Sequence, residues 1–398
     1  MLHMHKFDPF DKEDFLRVRK ELAEEGEGRL GGSELGAAVG DNPYKSPYAL
    51  WCEKVGLCEA EDISDREAIK QGVMFEDGVA KRFEQETGRK VCSIPYVLTN
   101  DTAPHLFASP DRLLVNEQSG LECKTAKEVV MKKFPQGDFP QAYFDQCACY
   151  LKVTGRERWY LAIAVYSTAF KIFLLTTKKE EYDTWKRLSD KVAAKENLTD
   201  EESADWQKNY VFLEAAYYID QDALDACELA AKNFLARVAE GKAGNMDIWP
   251  IEEIDGSEAT KKTIAKAFPQ PPPESVVTFD ESEMYGVGED GVAFTSTTGK
   301  EVCDLLSARL DYDETIKSLE AEKAAIDNKL AALMKDKEKF VTPIASVTYK
   351  MTAGRETASA SAVKDYFKAK GLKLPEGLVK RSADSRSIRV MVKKSKKA

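Results

Sequence analysis

The chain has 398 residues, of which 43% are hydrophobic and 32% charged, and its formal net charge is −10. This length allows two or three domains with a sizeable core, and the composition is typical of a soluble globular protein. The sequence contains no run of about 18 apolar residues, so a membrane span is not expected. The acidic balance argues against general coating of nucleic acid by the whole surface.

The cysteines and the amino terminus indicate a cytoplasmic protein. The first fifteen residues, MLHMHKFDPFDKEDF, contain no apolar signal-peptide core, and His3 and His5 are expected in a mobile terminus. Disulfide frameworks belong to short, cysteine-dense secreted chains. Reduced thiols are therefore expected at all eight cysteines, which stand among apolar neighbours at 52, 58, 92, 123, 147, 149, 227 and 303.

The first ninety residues are predicted to be helical. An amphipathic helix is expected over 12–25, a short helix with Ser33 as its N-cap within GGSELGAAVG (31–40), and a third helix over 46–56. A longer helix is expected over 63–87. Its buried side is predicted to carry Ile69, Val73, Phe75, Val79, Ala80 and Phe83.

After Gly88 the hydrophobic period changes to two, which predicts short strands at KVCSIPYVLT, HLFAS, RLLVN and GLECKT. Further expected elements are helices near 126–134 and 139–154, a strand pair at 157–165 and 169–177, and helices from 178 and over 222–240. This order predicts an α/β or α+β domain over 1–242, with a small mixed sheet flanked by helices.

The carboxy-terminal part has a different pattern. Residues 243–300, with PQPPPE and a Gly-rich stretch, are predicted to be linker or irregular structure, and 301–398 to form a helical module with a basic tail. A helical hairpin or a short coiled coil is expected in 301–340, because apolar residues recur every seven positions at Leu305, Tyr312, Leu319, Ile326, Leu333 and Phe340.

The tail at 378–398 carries eight Lys/Arg and one Asp, a local +7 that leaves −17 for the rest of the chain. Such a tail either binds phosphate backbones or only improves solubility.

The chemistry is predicted around ASPDRLLVNEQSGLECKT (108–125). If its two strands pair across NEQSG, Asp111 lies close to Glu122, and Lys124 shares the face of Glu122 because alternate residues of a strand point the same way. Carboxylates are the ligands that Mg²⁺ prefers, and Mg²⁺ polarises phosphates. A lysine can orient or deprotonate water, or stabilise developing charge. Taken alone, the stretch is more simply interpreted as an ordinary surface hairpin with a Glu-x-Lys pair.

Three further residues extend this constellation. Glu76 lies on the long helix before the strands, where it supplies a third carboxylate or is merely an exposed helix acid. Gln146 and Tyr143 lie on a helix that leads into a strand, where they contact phosphate or water, or form a partly buried polar pair.

The motifs GGSELGAAVGDNPYKSPYALWCEKVG, GVMFEDGVAKRFEQETG, FASPDRL, LECKT and YFDQCACYLKVTGRERWYLA, in this order, resemble the lambda-exonuclease-like, YqaJ-type viral recombinase family. This family belongs to the PD-(D/E)xK nuclease superfamily, and the resemblance covers about residues 28–180. It implies a Mg²⁺-dependent 5′→3′ exonuclease, with Mn²⁺ as a substitute, in a bacterial host cell. The enzyme would act on duplex DNA ends, and its 3′ overhang would feed a single-strand annealing partner.

The resemblance also implies roles for individual residues. Asp111, Glu122 and the Cys123 carbonyl match the metal ligands, and Glu76 matches a helix acid near the metals. Lys124 matches the catalytic lysine and Gln146 an active-site glutamine. Ser33 and Ser109 match positions near the DNA-end phosphate. Arg29 is the candidate for the arginine that binds this phosphate, although in the family that arginine usually lies farther upstream of the serine.

Two alternatives stay open: a Cas4- or RecB-like nuclease with an iron–sulfur cluster, and a non-catalytic DNA-binding or scaffold protein. A nuclease of this charge needs a local basic cleft, and homo-oligomerisation into a ring would enclose DNA. The residues expected to line the cleft are Arg29, Lys45, Lys124, Lys127, Lys132 and Lys133.

Overall fold

The computed structural model describes residues 1–60, 62–134, 138–166, 169–268, 286–287, 293–294, 297–342, 345–349 and 359–373. The chain divides into two compact units, Met1–Pro269 and Gln270–Ala398. The proline-rich 269–274 and the basic tail lie outside the described residues.

The first unit begins with a strand and continues mainly with helices. Its first elements are β1 (Leu2–Lys6), α1 (Lys12–Glu24), β2 (Leu30–Gly31), α2 (Gly32–Ala38), α3 (Pro47–Val55) and α4 (Glu67–Thr87). The side chains of Asp11 and Ser46 accept hydrogen bonds from the first free amides of α1 and α3. Gly56 and Gly88 end α3 and α4 with φ of 84° and 70°, a left-handed conformation that glycine adopts without a Cβ clash.

The strands follow in the middle of the first unit. They are β3 (Val91–Cys92), β4 (Tyr96–Asn100), β5 (Ala103–Ala108), β6 (Arg112–Leu114) and β7 (Ser119–Ala126), followed by α5 (Glu128–Met131), α6 (Gln141–Thr154), β8 (Arg158–Val165) and β9 (Ala169–Thr176). The unit is completed by α7 (Lys179–Ala193), α8 (Asp200–Asn209), β10 (Ala215–Tyr218), α9 (Gln221–Lys242) and α10 (Glu258–Ala267).

The described strands of the first unit form a four-stranded sheet in the order β1-β4-β5-β2 and a six-stranded sheet in the order β10-β9-β8-β7-β6-β3. In the larger sheet β7 pairs antiparallel with β6 and parallel with β8 over eight residues. Val79 and Phe83 of α4 pack with Leu121 and Cys123 of β7 on one face. The opposite face packs against α6. The predicted mixed α/β fold, a sheet flanked by helices, is confirmed.

The helix α4 differs from its prediction at its amino-terminal half. It begins at Glu67 instead of 63, and while Val79, Ala80 and Phe83 are buried as predicted, Ile69, Val73 and Phe75 are 41%, 73% and 46% exposed. Periodicity identifies the apolar side of a helix, but it does not show how far along the helix another element covers that side.

The amino terminus is also different from the expectation. Residues 2–6 form β1, which pairs antiparallel with β4, so a mobile terminus is wrong. His3 Nε2 lies 2.7 Å from Asp101 Oδ1, and His5 Nε2 lies 2.8 Å from Thr99 Oγ1. The segment LHMHK is only five residues long, so its alternation is a weak strand signal. Such a strand is stabilised mainly by pairing with a partner far along the chain, which the local sequence does not reveal.

Residues 243–268 contain two 3₁₀ turns, Met246–Ile248 and Ile251–Glu253, before α10. The Trp249 ring lies 5.7 Å from that of Trp51, and Thr260 Oγ1 lies 2.5 Å from Ser46 Oγ. These contacts attach the end of the first unit to α3.

The second unit contains β11 (Gly286–Val287), β12 (Ala293–Phe294), α11 (Thr297–Met334), β13 (Lys339–Val341), β14 (Ser346–Thr348) and α12 (Ala360–Ala369). The helix α11 is one continuous helix of 38 residues, so a helical hairpin over 301–340 is wrong. Glycine and proline are absent from 300–334, which leaves no turn signal within the helix. Of the helices that the structure describes, none is long and apolar enough to cross a membrane.

Candidate active site

Strand register places Asp111 beside Glu122. Arg112 pairs with Leu121 across the antiparallel β6–β7 hairpin, so the residue before Arg112 lies next to the one after Leu121. Asp111 Oδ2 accepts a hydrogen bond from the Cys123 amide at 2.7 Å. The predicted meeting of the two carboxylates is therefore present, and the backbone of β7 holds Asp111 in place.

A lysine and a glutamine converge on Glu122. Lys124 Nζ donates to Glu122 Oε1 at 2.5 Å and to Gln146 Oε1 at 2.9 Å. Gln146 Nε2 donates to the same Glu122 oxygen at 2.8 Å. Because Glu122 and Lys124 are alternate residues of β7, both face α6, from which Gln146 reaches them. The three side chains form a closed hydrogen-bonded triangle.

Two tyrosines of α6 contact the triangle formed by Glu122, Lys124 and Gln146 or its neighbours. The Tyr150 hydroxyl accepts from Gln146 Nε2 at 2.8 Å and donates to the Ser109 carbonyl at 3.2 Å. The Tyr143 ring centroid lies 5.3 Å from Lys124 Nζ, within cation–π range. Tyr150 thus connects the helix to the turn that carries Asp111; the sequence predicted Tyr143 but missed Tyr150, although Tyr150 lies one helical turn after Gln146.

Burial and mutual repulsion perturb the charges of the site. Burial, and then the neighbouring Glu122 carboxylate, raises the pKa of Asp111 to about 7. Burial lowers the pKa of Lys124, but the Glu122 and Asp111 carboxylates outweigh it, and the pKa of Lys124 is raised. Lys124 is therefore expected to be an ammonium beside these carboxylates.

One buried oxygen of the site lacks a hydrogen-bond partner in the described part of the chain. Glu122 is 1% exposed, and its Oε2 is buried without a hydrogen bond from any residue that the structure describes. Such a group costs about 1–3 kcal/mol if it stays unsatisfied, and more when it is charged. A cation supplied from solution would satisfy this oxygen, and carboxylate oxygens suit Mg²⁺ or Mn²⁺. The donor set Asp111, Glu122 and the Cys123 carbonyl fits such an ion.

Arg112 donates hydrogen bonds to two carboxylates of α4, those of Glu76 and Asp77. Its Nη1 donates to Glu76 Oε1 at 2.7 Å and to the Asp111 carbonyl at 2.6 Å, and its Nη2 donates to Asp77. Burial, and then the charge of Asp111, raises the pKa of Glu76. Glu76 is thus close enough to feel Asp111, but its carboxylate is bonded to arginine. Sequence reasoning missed Arg112, although its position directly after Asp111 was a usable signal.

Two of the four predicted phosphate-binding residues, Ser33 and Arg29, take no part in the hydrogen bonds given above for this network. Ser33 is the exposed second residue of α2, whose N-cap is Gly31, so the predicted N-cap role of Ser33 is wrong. Glu34 bonds the Gly31 amide at 3.1 Å instead. Arg29 donates to Glu25 at 2.6 Å and to the Leu22 carbonyl at 3.2 Å, both on α1 or its end.

Three of the lysines expected to line a cleft form ion pairs with neighbouring acidic side chains. Lys45 pairs with Glu53, Lys124 with Glu122, and Lys132 with Glu128. Lys127 and Lys133 are exposed around α5.

A metal site built entirely from side chains would be an alternative elsewhere in the described ranges. No group of three or more His, Cys, Asp or Glu side chains there is placed to hold a metal ion. A site of two carboxylates and one main-chain carbonyl is compatible with this finding. The thiols lie in separate places: Cys123 packs against α4, whereas Cys147 and Cys149 are buried on the opposite face. Their arrangement does not favour an iron–sulfur cluster, which needs four thiolates at one locus.

Comparison with known proteins gave both sequence and structural matches. A curated relative from Bacillus subtilis (strain 168), "Uncharacterized protein YqaJ", is 34% identical over 143 residues, which cover 35% of this chain and 44% of that protein. This chain thus matches less than half the length of that relative. An alkaline exonuclease (LHK-Exo) from Laribacter hongkongensis is 16% identical with a TM-score of 0.37, covering 56% of this chain and 95% of that one.

The same exonuclease in complex with dAMP gives the same identity and TM-score, covering 57% of this chain and 99% of that chain. Residues 14–157 match the family model of the YqaJ-like viral recombinase domain. This segment contains Glu76, Asp111, Glu122, Lys124 and Gln146. The family resemblance that the motifs predicted is therefore confirmed for residues 14–157, which match the YqaJ-like viral recombinase domain.

Proposed function

We propose that this protein is a metal-dependent deoxyribonuclease of the lambda-exonuclease type, which digests linear duplex DNA from the 5′ end and leaves a 3′ single-stranded overhang. One observation carries the proposal: Glu122 Oε2 is buried without a hydrogen-bond partner among the described residues, while Lys124 Nζ donates to Glu122 Oε1 at 2.5 Å. Two carboxylates and a lysine on adjacent strands suit phosphodiester hydrolysis.

Asp111, Glu122 and the Cys123 carbonyl would hold Mg²⁺, or Mn²⁺ in its place. When bound, the ion would polarise the phosphate and stabilise negative charge on its oxygens. The β6–β7 hairpin fixes both carboxylates relative to each other, and the Cys123 amide orients Asp111. Glu76, held by Arg112, would add negative charge to the edge of the site.

Lys124 would act as a cation and hydrogen-bond donor. Its pKa is raised by Glu122 and Asp111, so it would orient the attacking water or stabilise the phosphoryl oxygens more readily than it would accept a proton. In the reaction, water oxygen bonds to phosphorus, the P–O3′ bond breaks, and the leaving O3′ receives a proton. Gln146 holds both Lys124 and Glu122, so it would position the lysine during this step.

A digestion assay tests the proposal. Linear duplexes labelled at the 5′ or the 3′ end are incubated with the full-length protein and Mg²⁺, Mn²⁺ or a chelator. The proposed activity releases the 5′ label early as mononucleotide, retains the 3′ label on a long strand, and stops with the chelator. Intact duplex in both metals would contradict it; binding without cleavage would support a DNA-binding or scaffold protein instead.

The proposed product implies a partner. A 3′ overhang has to be covered and paired before it reanneals or is degraded, so we propose that a single-strand annealing protein receives it. Processive digestion would also be helped by a homo-oligomer that encloses the duplex. Because the proposed substrate and the proposed partner both meet at DNA, we propose that the protein acts in the bacterial cytoplasm.

A further inference from the structure

The helix α11 carries a row of exposed apolar side chains. Leu305, Tyr312, Leu319, Ile326 and Leu333, seven residues apart, are 57–69% exposed. At 38 residues the helix is about 57 Å long, long enough for five heptads. A surface helix of a soluble protein rarely leaves a continuous apolar row in water.

A second row completes a coiled-coil seam. Three residues before each member of the first row stand Val302, Arg309, Ile316, Lys323 and Leu330. Val302 and Ile316 are 38% and 52% exposed, and Leu330 is half-buried. The seam therefore has apolar residues at every position except Arg309 and Lys323. The positions of these two cations determine whether a parallel or an antiparallel pair is favoured.

We propose that α11 pairs with α11 of a second copy of this chain in an antiparallel coiled coil. A parallel pair would align each residue with itself, so Arg309 would face Arg309 and Lys323 would face Lys323 in a seam of low dielectric. An antiparallel pair instead brings each residue of one row opposite a residue of the other row. The pair has ten layers of five kinds, each occurring twice: Val302 with Leu333, Leu305 with Leu330, Arg309 with Ile326, Tyr312 with Lys323, and Ile316 with Leu319 of the second copy.

The antiparallel orientation keeps the seam cations apart. Lys323 lies over the second copy's Tyr312 and gains its aromatic ring, and Arg309 lies opposite the second copy's Ile326. Arg309 Nη1 is already paired with Asp313 Oδ2 of its own copy at 2.9 Å, so it carries a counter-charge into the seam. Neither cation then faces a like charge, as both would in the parallel pair.

Sedimentation of the full-length protein tests the association. The variant Ile316→Glu/Leu319→Glu places acids in the two central layers, and Ala321→Glu places one on the opposite side of the helix as a matched control. Glutamate is a good helix former, so α11 should remain helical in both. We expect the double variant to have at most half the mass of the wild type and of Ala321→Glu. A wild type at the 44.5 kDa chain mass, or a double variant of unchanged mass, would overturn the proposal.

Cysteine cross-linking tests the orientation. On a Cys303→Ser background, Val302→Cys/Leu333→Cys should form a disulfide-linked dimer on oxidation, whereas Val302→Cys alone should remain at chain mass on a denaturing non-reducing gel. The Cys303→Ser protein without added cysteines is the control for the native thiols. Efficient cross-linking of Val302→Cys alone would identify a parallel pair and overturn the antiparallel assignment. Neither result depends on the proposed nuclease activity, which both variants should retain.

Discussion

At the scale of single residues, the site depends on which atoms remain charged or unpaired. Among the described residues, Glu122 accepts two donors at Oε1 and none at Oε2, while the carboxylates around Lys124 raise its pKa. This asymmetry gives each oxygen of Glu122 a different task. One oxygen fixes the lysine, and the other is available to a cation.

Lys124→Met is expected to lower the rate of digestion by about 10²–10⁴-fold, because it removes the ammonium that would stabilise the phosphoryl charge. DNA binding should change little, since only one of the cations near the DNA is lost. Lys232→Met, on an exposed lysine of α9 outside the predicted cleft, is the control and should digest DNA at nearly the wild-type rate. Equal digestion rates of the two variants would refute the role of Lys124.

Tyr150→Phe is expected to lower kcat and to destabilise the fold by about 1–2 kcal/mol, because the Ser109 carbonyl and Gln146 lose a buried partner. Thermal unfolding and steady-state digestion measure the two effects. Tyr217→Phe, which loses only a 3.4 Å contact to Asp138, is the matched control. A stability loss without any change in kcat would show that Tyr150 does not position the site.

The pH dependence of stability should contain a contribution from Asp145, next to Gln146 on α6. Burial, reinforced by Asp41, raises the pKa of Asp145 to about 7, and its Oδ2 has no partner among the described residues. A raised carboxyl pKa stabilises the folded state fully below the unfolded value near 4, and the benefit is lost as pH rises towards 7.

Asp145→Asn is therefore expected to be more stable than the wild type at pH 8, by on the order of 1–3 kcal/mol, and equal to it near pH 4. Denaturant titrations at the two pH values measure this difference. An Asn side chain also donates to Asp41, which the ionised Asp145 cannot do. The same stability difference at both pH values would mean that Asp145 does not ionise in this range.

At the scale of elements, the site depends on the close approach of α2 and α6. A Cβ on Gly32 would lie 2.7 Å from Tyr150 Cε1 and 3.1 Å from Gln146 Cγ. On the other side of the sheet, a Cβ on Gly78 of α4 would meet no described atom within 4 Å. A side chain at Gly32 would therefore clash with α6, whereas a side chain at Gly78 would have free space among the described residues.

Gly32→Ala is expected to cost about 1–3 kcal/mol of stability, because α2 must move away from α6, and to slow digestion by displacing Gln146 and Tyr150. Gly78→Ala should instead stabilise the protein by about 0.5–1 kcal/mol, since alanine favours an exposed helix. Thermal unfolding of both variants measures the two signs. Equal effects of the two substitutions would contradict the packing of α2 on α6.

The sequence predicted the elements whose signal is local. The hairpin of Asp111 and Glu122 was predictable because strand alternation and its turn lie within eighteen residues, and Gly56, Gly88 and Gly155 end helices where expected. Long-range contacts were not predictable. The sequence alone did not show that Arg112 holds Glu76, because that contact joins a helix and a strand 36 residues apart.

At the scale of the whole molecule, every residue of the proposed site lies in the first unit, Met1–Pro269, and the proposed association surface lies in the second. A chain that ends at Phe268 is expected to keep its digestion of duplex DNA at low salt and to lose the self-association of α11. Digestion assays and sedimentation of the truncated and full-length proteins measure both. A truncated chain that unfolds cooperatively but does not cut DNA would show that the second unit contributes to the reaction.

The eight-residue parallel ladder of β7 and β8 also ties the register of this strand to the proposed chemistry. A shift of β7 by a single residue would turn Glu122 and Lys124 into the apolar face against α4 and present Leu121 and Cys123 to Gln146. Such a misfolded chain would lose core burial and its proposed catalytic groups together. The proposed capacity to cut DNA would therefore depend on the same strand register that buries the core.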